Sequence, residues 1–127
     1  MNPHAIANAI HSGNARDVRA QMIVEGANGP VSVRGDRILA QRDIPVVPDI
    51  LANGGGVVSS YFEWVQGLQH FFWTESEVND RLIALMQRAF RDVLSRAERE
   101  GGDLRGAALA RGIGRVHEAK RRRGVFP

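Results

Sequence analysis

The apolar positions of this chain change period as it proceeds, and the changes mark out its elements. Met22-Ile23-Val24 is a continuous apolar run that stops at a turn cluster, residues 26–30. Such a run predicts a strand buried on both faces, as in a parallel sheet. Residues 33–42 then follow a helical pattern built on Ile38 and Leu39. A second short run, Ile44-Pro45-Val46-Val47, is ended by Pro48. Strand, helix and strand in so short a stretch make one βαβ crossover. Both strands must then finish on the same edge, which brings residues 25–30 and 48–57 side by side. Upstream, residues 4–12 predict a short helix ended by Gly13.

Beyond Asp49 the pattern is helical to the end. One long helix is expected through Val57, Tyr61, Trp64 and Leu68. Gly54, Gly55 and Gly56 weaken its start, since glycine costs up to ~1 kcal/mol per helical position relative to alanine. A backbone or ligand that must approach closely would offset that cost. Thr74 and Glu77 form a capping box. Val78, Leu82, Leu85, Met86, Ala89, Phe90, Val93, Leu94 and Ala97 then recur at helical spacing up to Gly101-Gly102. Asp103 caps a last helix, with Leu104, Ala107, Ala108, Ile113 and Val116 as its buried stripe and Gly124 as terminator. The expected class is α/β: one βαβ unit with short parallel strands, followed by three helices.

A chain of 127 residues suffices for one domain with one core. It has no cysteine, which excludes disulfides, thiolate metal sites and cysteine nucleophiles. Met1-Asn2-Pro3-His4-Ala5 does not read as a secretory leader. No apolar run approaches the roughly 20 residues of a membrane span, so a cytoplasmic protein without a membrane partner is expected. The formal charge of +3 is local. Arg115, Lys120, Arg121, Arg122 and Arg123, less Glu118, leave +4 at the end of the chain and −1 elsewhere. A basic tail is not a basic face, and a solvated helix end, well placed against the helix dipole, is preferred to nucleic-acid binding.

The chemistry lies in two phrases, Glu25-Gly26-Ala27-Asn28-Gly29-Pro30 and Pro48-Asp49-Ile50-Leu51-Ala52-Asn53-Gly54-Gly55-Gly56-Val57. Each offers an asparagine amide, donor and acceptor together, where an open α/β sheet binds ligands. Structural alternatives stand beside this reading. Asn53 can cap the helix after it, Asn28 can be a turn residue, and Ser60 can bond back to a helix carbonyl. Gly54–Gly56 can serve helix packing as well as ligand approach. Asn53, Val57 and Ser60 fall at i, i+4 and i+7, on one helical stripe. His4, His11, His70 and His117 lack ligand spacing. Trp64, Phe71, Phe72 and Trp73 read as core or subunit-contact aromatics, and Glu63 has no base or nucleophile beside it in sequence.

These phrases, followed by Ser60-Tyr61-Phe62-Glu63-Trp64-Val65-Gln66, Leu68-Gln69, Trp73-Thr74-Glu75 and Leu104-Arg105, resemble the C-terminal part of glutamate dehydrogenases. Those enzymes belong to the Glu/Leu/Phe/Val amino-acid dehydrogenase family. The resemblance runs from about residue 16 onward, with a weaker echo at Pro3-His4-Ala5-Ile6-Ala7-Asn8. It implies that residues 1–127 are the C-terminal portion of a dinucleotide-binding, Rossmann-like domain without the substrate domain. It also implies oxidative deamination of L-glutamate to 2-oxoglutarate with NAD or NADP, in an oligomer expected to be built of like subunits. Asn28 and Asn53 would lie near the nicotinamide end of the cofactor. Val57 would line the pocket for the substrate side chain, and Ser60 would bond the side-chain carboxylate of glutamate. Gly54 departs from the alanine usual in the family. The family's dinucleotide-binding glycines, catalytic lysine and catalytic aspartate belong upstream and have no counterpart here. Lys120 lies in the wrong segment to substitute.

Two functional readings follow, with a tail-driven polyanion binder as a third. One is a fragment of a glutamate dehydrogenase, inactive alone. The other is a non-catalytic truncated subunit that associates with a full-length dehydrogenase. Because two strands do not make an independently stable sheet and leave an open edge, the isolated chain is expected to pair with itself or to be only marginally folded.

Overall fold

A computed structural model describes residues 7–124. Strand β1 is Ile23–Val24 and strand β2 is Val46–Val47. They pair in parallel, Ile23 with Val46 and Val24 with Val47. Helix α1, Val33–Ala40, connects them. Its first turn is closed by Ser32, whose hydroxyl accepts the Gly35 N–H at 3.0 Å, the expected role of an N-cap serine. The βαβ unit is therefore present with the expected direction and order.

Period-two alternation divides the small sheet between two apolar clusters. Ile23 and Val46 face one, around Ala15, Val31, Leu39 and Ile44. Val47 faces the other, with Leu51, Val93, Ala97, Ala107 and Ala108. The expectation that the first strand is buried on both faces does not hold. Met22 and Val24 are each more than half exposed, Val24 at 57%. Among the described residues β1 has a strand neighbour on one side only. Val24 instead borders a groove with Val47, Leu51, Met86 and Phe90.

The helix expected over residues 4–12 is also corrected. Residues 4–6 lie outside the described residues, and residues 7–12 form turns and an isolated parallel bridge between Ile10 and Val31. Asn8 is left-handed, with φ of 60°. The Asn8 and Ile10 N–H groups donate to the Gly29 and Pro30 carbonyls, both at 2.9 Å, and Ser32 N–H donates to the Ile10 carbonyl at 2.8 Å. Alanine-rich local propensity thus loses to tertiary pairing, as weak propensities do. Gly35 permits the close pass: a Cβ there would lie 2.9 Å from the Ile10 carbonyl oxygen.

The single long helix expected after Asp49 is two helices, α2 (Asp49–Ala52) and α3 (Gly55–Gln69). The break falls at Asn53, with φ of −101° and ψ of 6°. Helix α4, Glu75–Glu100, carries the expected capping box. Thr74 N–H donates to Glu77 Oε2 at 2.8 Å, and Glu77 N–H donates to Thr74 Oγ1 at 3.4 Å. Gly101, at φ 63°, ends it. Helix α5, Leu104–Arg123, is capped by Asp103, which accepts the Gly106 N–H. Its buried stripe is shorter than expected. Ala107 and Ala108 are buried, but Ile113 and Val116, beyond the Arg111–Asp92 ion pair to α4, are largely exposed.

The aromatics divide likewise. Trp73 packs edge-on to buried Phe62 at 5.5 Å, and Arg81 lies over Trp73 at 4.3 Å. Trp64, Phe71 and Phe72 are exposed rather than core residues. None of the helices among the described residues is long and apolar enough to cross a membrane.

Candidate functional site

At the carboxyl end of β1 the chain inserts Glu25, whose side chain is fully buried. A carboxylate withdrawn from water must be paired and hydrogen-bonded. Its Oε1 accepts Arg105 Nη2 at 2.7 Å, and its Oε2 accepts the Asp49 N–H at 2.8 Å. Arg105, on α5, also donates Nε to Asp36 Oδ2 at 2.9 Å and holds Nη1 3.8 Å from Asp49 Oδ1. One planar guanidinium thus serves α1, the end of β1 and the start of α2, a geometry suited to arginine's fixed fork of donors. Hydrogen bonding to Glu25, followed by that to Asp36, holds the guanidinium even more firmly protonated than usual, despite partial burial that works the other way.

Asp49 passes this order to the neighbouring turn. Its Oδ1 accepts the Ile50 N–H at 2.7 Å and its Oδ2 accepts the Gly29 N–H at 2.8 Å. Gly29 sits at φ 59°, where a side chain would be strained. The turn bearing Asn28 is thereby tied to the helix start that leads to Asn53. Asn53 Nδ2 donates to Asn28 Oδ1 at 2.7 Å. Among the described residues, the Asn28 amide donors and the Asn53 carbonyl oxygen have no other partner, and the two residues, one exposed and one half-buried, follow the carboxyl ends of the strands.

The two asparagines therefore meet, as the parallel strand order requires. Asn53 is not an N-cap for α3: that position is Gly54, with no side-chain hydrogen bond. Val57 and Ser60 share a face of α3, both exposed, but Asn53 belongs to the preceding helical turn, so the three do not lie on one continuous helix. Ser60 makes no hydrogen bond back to a helix carbonyl among the described residues. A Cβ at Gly54 or Gly55 would meet atoms no closer than 3.6 Å, and at Gly56 it would meet none. Internal packing therefore does not require these glycines. Lys120 lies in the exposed last turn of α5.

The edge offers neutral amide donors and acceptors. Its nearby carboxylates, Glu25 and Asp49, are occupied by backbone N–H groups and Arg105. It can orient a polar ligand, but among the described residues it supplies no free acid or base. Among the described residues no group of three histidine, aspartate or glutamate side chains could hold a metal ion. Sequence reasoning missed Arg105 as the partner of the strand-end phrases. The available signal was Glu25 itself, a carboxylate directly following an apolar strand and needing a cation from elsewhere.

The profile of the Glutamate/Leucine/Phenylalanine/Valine dehydrogenase family matches residues 1–124. The chain belongs to this dehydrogenase family. It is 50% identical over 125 residues to the glutamate dehydrogenase of Thermotoga maritima, covering 98% of this chain and 30% of that protein. It is 46% identical over 122 residues to the cryptic catabolic NAD-specific glutamate dehydrogenase of Bacillus subtilis, covering 96% of this chain and 29% of the relative. The crystal structure of the Peptoniphilus asaccharolyticus enzyme superposes with a TM-score of 0.89 at 37% identity, over 95% of this chain and 31% of that one. The leucine-bound hetero-hexameric enzyme of Thermus thermophilus gives 0.90 at 44% identity, over 95% and 29%. The chain thus spans about 30% of the length of the curated relatives it matches. Its α/β fold is that of a partial Rossmann-like domain of these dehydrogenases.

Proposed function

We propose that the Asn28–Asn53 edge binds the nicotinamide and ribose end of NAD or NADP, as part of a cytoplasmic glutamate dehydrogenase. The observation that carries this reading is the 2.7 Å hydrogen bond joining the two amides at the carboxyl ends of adjacent parallel strands. Their remaining donors and acceptor suit a carboxamide or a pair of ribose hydroxyls. Open space at Gly56 supports close approach of such a ligand. Val57 and Ser60, one apolar and one hydroxylic on the same helix face, suit L-glutamate and 2-oxoglutarate beside it. A nicotinamide cofactor held there would supply the hydride-accepting chemistry. Asn28 and Asn53 would orient its ring, and Val57 and Ser60 would border the substrate.

The curated relatives include NAD-specific enzymes, which favours NAD. Because the edge holds no free proton-transfer group among the described residues, the chain alone is proposed to be inactive toward glutamate. A second reading, a non-catalytic subunit assembled with a complete dehydrogenase, is favoured by the exposed apolar face of α3. Titration of the isotopically labelled chain with NADH tests the first reading. The Asn28 and Asn53 side-chain amides should shift, with a dissociation constant on the order of 1 mM for so partial a site. Saturation elsewhere without movement of those amides would overturn it.

A further inference from the structure

We propose that Arg105 is a positioning residue for the asparagine pair. The chain of contact is continuous. Arg105 Nη2 holds Glu25 Oε1 at 2.7 Å, Glu25 Oε2 holds the Asp49 N–H at 2.8 Å, and Asp49 Oδ2 holds the Gly29 N–H at 2.8 Å, next to Asn28. Asn53 then meets Asn28. Arg105 touches neither asparagine, yet it is the only cation within ion-pair distance of Glu25 among the described residues. Without it, a fully buried carboxylate would have to accept a proton or turn toward water. Turning would release the Asp49 N–H and, through Asp49, the Asn28 turn. The arm from Arg105 to Asp36 leads to α1 and away from the pair. A third contact, Nη1 at 3.8 Å from Asp49 Oδ1, bears on Asp49 directly, so the arms to Glu25 and Asp49 set the edge and the Asp36 arm aims the guanidinium.

The geometric part of this inference stands independently of any ligand; its effect on nucleotide affinity rests on the function proposed above. The test compares Arg105→Gln, Arg105→Lys and Asp36→Asn in the full chain. The readouts are far-UV dichroism, exchange of the Asn53 side-chain amide protons and NADH affinity. Arg105→Gln is expected to speed Asn53 amide exchange at least about tenfold while α4 retains its helicity. Arg105→Lys should recover part of the protection, because a point charge can pair with Glu25 but cannot span both carboxylates. Asp36→Asn should change exchange less than about threefold.

A folded Arg105→Gln chain with wild-type Asn53 exchange would overturn the proposal. If that variant does not fold, Glu25→Gln decides: faster Asn53 exchange in the folded protein supports the proposal, and unchanged exchange overturns it. Failure of the wild-type chain to bind NADH, with Asn53 exchange still dependent on Arg105, would remove the nucleotide reading and leave the positioning role intact.

Discussion

The strand ends and the exposed face of α3 are close in sequence and opposite in construction. At the strand ends directional polar contacts are completed within the chain: one arginine meets three carboxylates, and two of these hold backbone N–H groups. On α3, Val57, Tyr61, Trp64 and Leu68 are all more than half exposed, and Glu63 is the helix's one charged residue. An exposed helix normally carries a polar outer face. The first region is finished by its own sequence. The second is built for contacts that the described residues do not provide, and a contiguous apolar surface of this kind marks a contact site.

Mutation can sharpen the contrast. Leu39, wholly buried between α1 and the sheet, should cost about 3–4 kcal/mol on truncation to alanine, read from urea unfolding. Leu68→Ala, on the open face, should remain within about 0.5 kcal/mol. Equal losses would break the comparison. Glu25→Ala comes next, at about 2–3 kcal/mol, because Arg105 keeps Asp36 while the Asp49 N–H loses its acceptor.

Two glycines should then move in opposite directions. Gly35→Ala forces a Cβ toward the Ile10 carbonyl oxygen and should cost about 1–2 kcal/mol. Gly56→Ala meets open space in a helix and should gain up to about 1 kcal/mol. If the gap is kept for a nucleotide, the same Gly56→Ala change should weaken NADH binding in the amide titration. The smallest effect is pH-dependent. Hydrogen bonds from the Thr74 backbone and hydroxyl hold the Glu77 carboxyl below its ordinary value of 4.5. Its stabilising contribution is therefore present above that ordinary value and lost as pH falls through the lowered one. Amide protection factors at the start of α4, corrected for the intrinsic pH dependence of exchange, should fall on acidification, and Glu77→Gln should flatten the response.

Local grammar made much of this legible. The capping box at Thr74, the glycine stop at Gly101 and the βαβ unit each depend on neighbours in sequence, and each is present. The meeting of Asn28 and Asn53 was also legible, because parallel strands leave no other place for the residues that follow them. What escaped depends on partners far along the chain. Residues 7–12 read as helical until the Gly29 and Pro30 carbonyls claim their N–H groups. Ile113 and Val116 keep helical spacing, but spacing does not say how far a neighbouring helix covers that face. Arg105 lies 80 positions from Glu25, and no periodic pattern links an isolated charge to its counter-ion. At the site, residue types indicated what the edge offers a ligand, while the packing of α5 shows what holds that edge in place.

The distance between Glu25 and Arg105 also has a consequence for biosynthesis. Glu25 leaves the ribosome long before its counter-charge exists, and closing so long a loop is slow and entropically costly. The nascent chain can cap α1 and form turns early, but it cannot neutralise that carboxylate until α5 begins to emerge. Order at the edge is therefore acquired last, and chains cut short before Arg105 would carry both asparagines without the means to keep them together.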